Sequence, residues 1–476
     1  MKKVLYVTAE ASPFIASGGL GDVASSLPQS INSCGDVDVR VILPLHSAIE
    51  KKYREILKFE CEFNVKLSWR NLYCGIYSCE YNGVIYYFVD NKYYFEREMI
   101  YGSFDDAERY AFFCRAVTIG IHHLKFVPDI LHANDWHTAL TIVYLRLCHS
   151  ELNSVKTVFT IHNIEYQGIY DRNISNDVFD IEEKNLQIIE YDGKINLLKG
   201  AIACCDVLTT VSPKYAEEIE NEYYSAGLHH IIRSEKNKLR GIVNGIDTLH
   251  YNPLYDNDIP CKYSHEDLSG KKKCKSKLQS ELKLKRSIRT PIIAMISRLA
   301  EHKGFDLVKC VANELMELDI QFVLLGKGDS ELENYFHELS FRYPDRVGVV
   351  LEFDKKLSKK IYAGADIFLM PSRVEPCGLS QMIAARYGTI PVVRRTGGLY
   401  DTIVPYDTET FKGNGITFSS YNAHEMLESV KCTLELYKSK KHWNALIYNA
   451  MTSDFSWENS AGKYIEIYEN LCDRRK

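Results

Sequence analysis

The chain has 476 residues, of which 46% are hydrophobic and 25% are charged, and its formal net charge at pH 7 is −5. This length predicts two or three domains with ample apolar material for their cores, and the composition argues against a largely disordered protein. The acidic balance also argues against a general nucleic-acid binder, because such proteins carry a basic excess.

The cysteines and the first residues predict the compartment. Fourteen cysteines are scattered without a C-x-x-C pair, which favours free thiols in a reducing cytosol over a disulfide framework. Glu10 interrupts the short apolar run at the start, so this run predicts a buried strand and not a signal peptide. No segment approaches the 18 or so apolar residues that a membrane helix needs. We therefore expect a soluble cytoplasmic protein.

Short β-rich runs alternate with helix-like stretches along the chain. The predicted strands are residues 4–7, 39–43, 85–89, 130–132, 157–161 and 207–211, and, after Gly245, residues 292–296, 321–325, 347–351, 367–370 and 389–393. This alternation predicts an α/β fold with two doubly wound, Rossmann-like lobes, each a parallel sheet with helices on both faces. The lobes should join near residues 243–247.

Two stretches of the second lobe have the spacing of amphipathic helices. Residues 305–318 separate two predicted strands, and residues 271–289 form a lysine-rich segment with leucines at helical intervals. The second segment resembles an anion-binding patch at first sight. Its leucine spacing favours a solvated amphipathic helix.

A glycine loop follows the first predicted strand and precedes a predicted helix at residues 23–31. It contains Gly18, Gly19 and Gly21, and this context suits a phosphate bound at a helix N-terminus. Its spacing is not G-x-G-x-x-G, so the dinucleotide-binding fingerprint is absent. A tight turn between strand and helix is the alternative interpretation.

Two cations and a carboxylate follow strands of the second lobe. Arg298 and Lys303 can neutralise a diphosphate and the charge that develops as it leaves, although exposed loop charges would show the same pattern. Glu375 precedes a turn at Gly378 that should open a helix, so this loop offers a carboxylate together with free backbone N–H groups. Cys377 lies in the same turn without a visible base, which favours a small residue lining a ligand over a catalytic thiol.

Other polar residues leave several interpretations open. Asp135 and Glu375 would suit the paired acids of a glycoside hydrolase, but a single Asp after a strand is as often a helix N-cap. Metal binding by histidines lacks support from ligand spacing, and no G-x-S-x-G motif supports acyl transfer. The histidines considered are His132, His137 and His162.

An aromatic-rich stretch covers residues 93–113. Most of its rings should be core, and one or two are candidates for stacking on a sugar. The rings are Tyr93, Tyr94, Phe95, Tyr101, Phe104, Tyr110, Phe112 and Phe113.

Taken in order, ten segments give the chain a resemblance to bacterial glycogen synthases and plant starch synthases of glycosyltransferase family 5 over nearly its whole length. They include P-F-I-A-S-G-G-L-G-D-V at 13–23, N-D-W-H-T at 134–138, T-I-H-N-I-E-Y-Q-G at 160–168, S-R-L-A-E-H-K-G-F-D at 297–306, P-S-R-V-E-P-C-G-L-S-Q at 371–381 and R-R-T-G-G-L-Y-D-T at 394–402. Any one segment is modest support, whereas ten in order are specific.

The resemblance implies a glycosyltransferase-B fold with two lobes facing a cleft. Residues 1–243 would form the acceptor lobe, residues 244–455 the donor lobe, and residues 456–476 a helix, starting near Trp457, that crosses back to the first lobe. It implies transfer of glucose from ADP-glucose to the non-reducing end of an α-1,4-glucan such as glycogen, with retention at the anomeric carbon. It implies that neither a metal nor another cofactor is required, and the charge and the apolar runs discussed above predict no nucleic-acid partner and no membrane association.

The resemblance also implies roles for individual residues. Arg298 and Lys303 would grip the diphosphate, Glu375 would orient the glucosyl hydroxyls and favour the cationic transition state, His162 would lie beside the sugar, and Asp135 would lie near the acceptor. The residues implied in donor binding are Gly18, Gly19, Asp22, Asn163, Asn244, Cys377, Gly378, Leu379, Thr396, Gly397 and Gly398.

Two positions depart from the pattern of related enzymes. Ala16 stands where the family commonly has Lys, and Ile383 stands where the wider fold superfamily often has a second Glu. Two alternatives stay open: a related UDP-sugar-dependent transferase, and a catalytically impaired glucan-binding protein, which the missing cation makes conceivable. Arg298, Lys303 and Glu375 argue against the second alternative, and a glycoside hydrolase would have no evident use for the cationic pair.

Overall fold

The computed structural model of the protein describes residues 1–473 and divides into two compact units. The first unit comprises Met1–Gly245 together with residues 457–473, and the second comprises Ile246–Ser456. The sequence placed these divisions at residues 243/244 and 455/456. Residues 474–476 of the predicted C-terminal segment lie outside the described residues.

The first unit is organised around one large sheet. Its main sheet has the strand order β12-β11-β7-β6-β1-β2-β5-β4-β3, and β8, β10 and β9 form a small separate antiparallel sheet. The strands are β1 (Lys2–Val7), β2 (Val37–Pro44), β3 (Lys58–Leu67), β4 (Arg70–Tyr81), β5 (Val84–Asp90), β6 (Ile130–Asn134), β7 (Lys156–Ile161), β8 (Ile169–Tyr170), β9 (Glu190–Tyr191), β10 (Lys194–Asn196), β11 (Val207–Thr210) and β12 (Leu239–Gly241).

One edge of the main sheet differs from the prediction. From β12 to β5 every pairing is parallel, as predicted, but β4 pairs antiparallel with both β5 and β3. The prediction of a wholly parallel sheet was therefore wrong for this edge. The sequence did indicate an antiparallel strand here. Polar and apolar residues alternate along β3, K-F-E-C-E-F-N-V-K-L, as they do in a half-exposed antiparallel strand.

The helices of the first unit pack in two groups. Helix α4 packs on α5 and α5 on α7, whereas α1 packs on β2 and on the C-terminal helix of the chain. This grouping agrees with the predicted doubly wound arrangement. The helices before residue 245 are α1 (Gly19–Ser33), α2 (Lys51–Arg54), α3 (Lys92–Phe95), α4 (Asp106–His123), α5 (Trp136–Cys148), α6 (Ser175–Phe179), α7 (Leu197–Cys204), α8 (Pro213–Glu218) and α9 (His229–Ser234).

The second unit is a parallel sheet with the order β15-β14-β13-β16-β17-β18. The strands are β13 (Ile292–Ile296), β14 (Gln321–Leu325), β15 (Val347–Val350), β16 (Ile367–Met370), β17 (Ile390–Arg394) and β18 (Ile416–Phe418). The helices are α10 (Ser269–Glu281), α11 (Phe305–Cys310), α12 (Ala312–Glu317), α13 (Ser330–Arg342), α14 (Lys355–Gly364), α15 (Ser380–Arg386), α16 (Gly397–Thr402), α17 (Ala423–Lys438) and α18 (Lys440–Thr452). The prediction of a second doubly wound parallel sheet is confirmed.

Helix α10 corrects the expectation of a solvated lysine-rich helix. It ends at Glu281, and Lys271 and Lys275 are buried. The Lys271 ammonium donates to the Tyr387 carbonyl at 3.0 Å and to Thr389 Oγ1 at 2.9 Å, while Lys275 pairs with Asp366 at 2.7 Å. Buried acceptors thus compensate these charges, which spacing alone did not indicate. The predicted helix at 305–318 is instead α11 and α12, separated at Val311.

The last helix, α19 (Trp457–Asp473), belongs to the first unit. Its buried stripe consists of Trp457, Ala461, Tyr464, Tyr468 and Leu471, which share one hydrophobic core with residues of α1, β1 and β2. The Tyr468 hydroxyl lies 2.7 Å from Nδ1 of His132 on β6. Among the described residues, no helix is long and apolar enough to span a membrane, and none of the fourteen cysteines is in a disulfide.

Candidate active site

Glu375 lies at the centre of the candidate site of the second unit, in the loop after β16. Its carboxylate is buried, and Lys303 Nζ lies 2.9 Å from Oε1 and 2.7 Å from Oε2. Ser372 Oγ donates to Oε2 at 3.0 Å. The sequence predicted a role for each of Glu375 and Lys303, and the structure brings the two charges together as a partly buried ion pair.

Close approaches of glycines make this ion pair possible. Gly304 has a φ of +78°, and a Cβ added there would lie 2.2 Å from the Pro371 carbonyl oxygen. Any other residue would therefore force apart the loop of Lys303 and the loop of Glu375. Two further glycines, at the start of α16, bring a third loop to the same place: a Cβ on Gly397 would lie 2.0 Å from the Glu375 carbonyl oxygen, and one on Gly398 would lie 2.1 Å from that of Cys377.

The turn after Glu375 opens a helix, as predicted. Gly378 has a φ of +74°, Leu379 precedes α15, and Gln381 Nε2 donates to the Cys377 carbonyl at 3.1 Å and to that of Gly378 at 2.9 Å. Cys377 is buried, and its carbonyl oxygen accepts the Gln381 hydrogen bond and lies against Gly398. The turn is thus held from inside the unit by Gln381.

Gly398 is one of the residues that the resemblance implied in donor binding, but its backbone N–H is used within the unit. It donates to the carbonyls of Glu375 and Pro376, each at 3.1 Å, and so fastens the Glu375 loop to α16. Thr396, just before α16, is fully buried. Arg298 follows β13 and is exposed, five residues before Lys303.

In the first unit, the glycine loop is organised by a residue that the sequence argument did not assign to the site. Glu10, three residues beyond β1, is buried and accepts hydrogen bonds from Ser17 N at 2.7 Å, Ser17 Oγ at 2.6 Å and Gly21 N at 3.0 Å. Burial raises the pKa of Glu10, and these hydrogen bonds oppose the shift. The sequence feature that could have identified Glu10 is its position as a lone acidic residue soon after a buried strand.

The tip of the glycine loop faces solvent and begins α1. Gly18 and Gly19 are exposed, and α1 starts at Gly19, four residues before its predicted start. Asp22, in the first turn, accepts from Ser12 Oγ at 3.0 Å. A Cβ on Gly21 would lie 2.4 Å from the Ala16 Cβ, so the loop packs tightly at its base while Gly18 stays open.

Asp135 and His162 meet at the carboxyl ends of β6 and β7. Asp135 Oδ1 accepts from the backbone N–H of His162 at 2.7 Å, and the Asn163 N–H also hydrogen-bonds this carboxylate. Burial raises the pKa of Asp135 to about 7, against the effect of these two hydrogen bonds. Asp135 has a φ of +55°, an uncommon conformation for a residue other than glycine.

Asn134 fixes the ring of His162 and was also missed by the sequence argument. Its amide nitrogen donates to the Val7 carbonyl at 3.0 Å, so its Oδ1 points to His162 Nε2 at 2.9 Å. Nε2 therefore carries the proton and Nδ1 is left as an acceptor. Loss of hydration lowers the pKa of His162 to about 3, so the ring is neutral.

Two donor-binding candidates and two histidines complete the first unit. Asn163 Oδ1 accepts from Glu165 N at 3.0 Å, whereas Asn244 Oδ1 is buried and lacks a hydrogen-bond partner within residues 1–473. His132 uses one ring nitrogen for Tyr468 and the other for Thr160 Oγ1 at 2.6 Å. The buried His137 ring lies against that of Trp136, tilted by 32° at a centroid distance of 4.0 Å, so both histidines pack in the interior of the unit.

The aromatic stretch is mostly core, as predicted. Its buried rings are Tyr94, Phe95, Tyr110, Phe112 and Phe113. Tyr93 and Phe104 are exposed, at 65% and 94%. These two remain the candidates for stacking on a sugar.

The chain matches known proteins along its length. The family described as "Starch synthase catalytic domain" matches residues 3–234, and "Glycosyl transferases group 1" matches residues 279–450. Glycogen synthase of Bacillus cereus (strain B4264) is 45% identical over 475 residues, covering 99% of this chain and all of the relative. Glycogen synthase of Clostridium novyi (strain NT) is 44% identical over 477 residues, covering 99% of each chain.

Solved structures show the same architecture. The catalytic domain of starch synthase IV from Arabidopsis thaliana, bound to ADP and acarbose, superimposes with a TM-score of 0.92 at 31% identity and covers 99% of each chain. Sucrose-phosphate synthase from Thermosynechococcus elongatus has a TM-score of 0.62 at 15% identity and 99% coverage of each chain, a likeness of fold alone. The predicted glycosyltransferase-B class is thereby confirmed.

Proposed function

The chain belongs to the glycogen and starch synthase family of glycosyltransferases, and we propose that it transfers the glucosyl group of ADP-glucose to the non-reducing end of an α-1,4-glucan. The observation that carries this proposal is the Lys303–Glu375 ion pair, assembled where three glycine-dependent close approaches join the loops of the second unit. ADP bound in the related starch synthase IV supports an adenine nucleotide as the donor.

Lys303 is proposed to act on the donor diphosphate while holding Glu375. An ammonium group has three N–H donors, and the two carboxylate oxygens of Glu375 engage at most two of them. The third can reach a phosphate oxygen, with the exposed Arg298 as a second cation. Together they would stabilise the diphosphate as it leaves, without a metal ion or other cofactor.

Glu375 is proposed to position the donor sugar and not to attack it. A carboxylate whose two oxygens are hydrogen-bonded to Lys303 and Ser372 is a poor nucleophile, because attack on the anomeric carbon would break these bonds. Its negative charge instead favours the positive charge that develops on the sugar ring. We therefore propose retention through a front-face reaction, in which the departing diphosphate takes the acceptor proton.

The first unit is proposed to contribute the acceptor side. The neutral His162 presents Nδ1 as an acceptor for a sugar hydroxyl, because Asn134 holds the Nε2 proton. Asp135, hydrogen-bonded to the same backbone, would bias the position of the acceptor. The glycine loop held by Glu10 is instead proposed to serve the donor, by supplying backbone N–H groups at the start of α1 to a phosphate oxygen. The proposed compartment is the cytoplasm, in keeping with cysteines that are all unpaired.

The donor can be tested by competition. Purified protein is given glycogen and ¹⁴C-labelled ADP-glucose, with unlabelled ADP-glucose or UDP-glucose added as competitor. We expect label in the polymer and equimolar ADP, with competition by ADP-glucose at about tenfold lower concentration than by UDP-glucose. Equal competition would refute the donor assignment. Glycogen binding without any ADP release would refute the transferase assignment.

A further inference from the structure

A group of metal-ligand side chains lies on the first unit and shares no residue with the candidate active site. It consists of His122, near the end of α4, and His149 and Glu151, which follow α5 directly. One ligand atom of each side chain lies within 4.8 Å of the other two. Within residues 1–473 this is the one group of three His, Cys, Asp or Glu residues that meets this condition.

The distances suit a metal bound between the three side chains. His122 Nε2 lies 3.2 Å and His149 Nδ1 lies 2.9 Å from the same carboxylate oxygen, Glu151 Oε1. In a tetrahedral site with metal–ligand bonds of about 2.0–2.1 Å, neighbouring ligand atoms lie about 3.4 Å apart. Two of the three distances between the ligand atoms are therefore already close to those of a tetrahedral metal site.

The packing around the group fixes its backbone and leaves two of its side chains partly exposed. Helices α4 and α5 pack against each other, so the chain positions of the ligands are set by the core. The His149 side chain is only 12% exposed and serves as the anchor. The side chains of His122 and Glu151 are 42% and 53% exposed, which leaves His122 room to rotate and bring its Nε2 closer to Nδ1 of His149.

The chemistry of the ligands selects a class of metal. Two imidazoles with one carboxylate suit zinc and the neighbouring divalent metals cobalt and nickel, whereas Mg²⁺ and Ca²⁺ prefer sites made of oxygen ligands. The exposed side of the group leaves a fourth position for water. A metal held there would fasten the end of α4 to the turn at Ser150–Leu152 after α5.

We infer that His122, His149 and Glu151 form a binding site for a divalent first-row transition metal such as zinc. The inference does not depend on the proposed glucosyl transfer, and the metal has no role in that reaction.

The test uses Co²⁺ as a spectroscopic probe and Zn²⁺ as competitor on the full-length protein after chelator treatment. Binding is compared between the wild type, His122→Ala and Glu151→Gln. The matched control is His123→Ala, which removes the adjacent exposed histidine, whose ring stacks on Phe63 and does not belong to the group. Circular dichroism verifies that each variant is folded.

We expect one Co²⁺ per chain with the visible spectrum of nitrogen and oxygen ligation, displaced by Zn²⁺. Each ligand variant should bind at least about tenfold more weakly, since even loss of an outer-shell partner costs that much, and the control should match the wild type. Equal affinity in wild type and His122→Ala would overturn the site. So would sulfur-to-cobalt charge-transfer absorption as the main signal, because it would assign the metal to cysteines.

Discussion

Lys303 Nζ lies 2.7 and 2.9 Å from the two carboxylate oxygens of Glu375, although 71 residues separate them in the chain. The contact depends on Gly304 meeting the Pro371 carbonyl, which places the end of one loop against the start of the other. Lys303, proposed to act on the leaving diphosphate, and Glu375, proposed to position the sugar, therefore form one ion pair. Removing either charge changes the environment of the other.

Lys303→Met is expected to destabilise the second unit as well as to reduce transfer. It leaves the buried Glu375 carboxylate with Ser372 as its remaining partner, at a cost of about 1–3 kcal/mol in the free energy of unfolding. Urea denaturation measures this loss. The matched control is Lys309→Met, because Lys309 pairs with Glu331 at the surface and its loss should leave the free energy of unfolding almost unchanged. Equal changes in the free energy of unfolding for both variants would show that the Lys303–Glu375 pair does not stabilise the second unit.

Glu10→Gln is expected to loosen the glycine loop. The carboxylate accepts three hydrogen bonds from Ser17 and Gly21, whereas a glutamine amide has a single oxygen acceptor and points an NH₂ group at the remaining donors. The KM for ADP-glucose should rise by about tenfold or more, corresponding to the loss of about 1.4 kcal/mol in loop preorganisation. Steady-state kinetics measures it, with the exposed Glu62→Gln as the control. An unchanged KM would remove Glu10 from the site.

Tyr468→Phe is expected to weaken the attachment of α19. The change removes the hydroxyl that meets His132 Nδ1 and leaves a buried ring nitrogen without its partner, at a cost of about 1–2 kcal/mol. Thermal unfolding should show a lower midpoint. Tyr448→Phe, in which the ring is 53% exposed, is the control and should leave the midpoint unchanged. A midpoint for Tyr468→Phe equal to that of the control would contradict this account of the helix.

Asp135 is expected to make stability depend on pH. Its folded-state pKa of about 7 lies above the value of about 3.9 in an unfolded chain, so this carboxyl contributes stability below about pH 4 that is lost as the pH rises to about 7. Asp135→Asn removes this titration and keeps a hydrogen-bond acceptor for His162. Urea midpoints between about pH 5 and pH 8 should therefore fall less in the variant than in the wild type. Parallel pH profiles would contradict the raised pKa.

Much of the fold could be predicted because buried parallel strands are continuous apolar runs. Ile292–Ile296, Gln321–Leu325 and Ile367–Met370 were predicted to the residue, and each is almost wholly buried. The antiparallel edge was missed because β3 and β4 are half exposed and carry many polar residues. Long-range compensation of Lys271 by carbonyls more than ninety residues away has no local signal.

The candidate site shows the same limit. The motifs identified Glu375 and Lys303 separately, because each follows a strand of the sheet, but the pairing depends on a close backbone approach at Gly304 that spacing does not encode. Asn134 was missed since its partner His162 follows a different strand, and Glu10 was missed although it holds a loop only 7 to 11 residues further along the chain. Both act by orienting neighbours: Ser17 and Gly21 in one case and His162 in the other.

The most direct test of the central claim is the incorporation of ¹⁴C-labelled glucose from ADP-glucose into glycogen by wild type and Glu375→Ala. The wild type should label the polymer, and the variant, verified to be folded by circular dichroism, should lose at least about a hundredfold in kcat, since the carboxylate favours charge that develops in the transition state. A folded variant that retains nearly full kcat would contradict the assignment of Glu375.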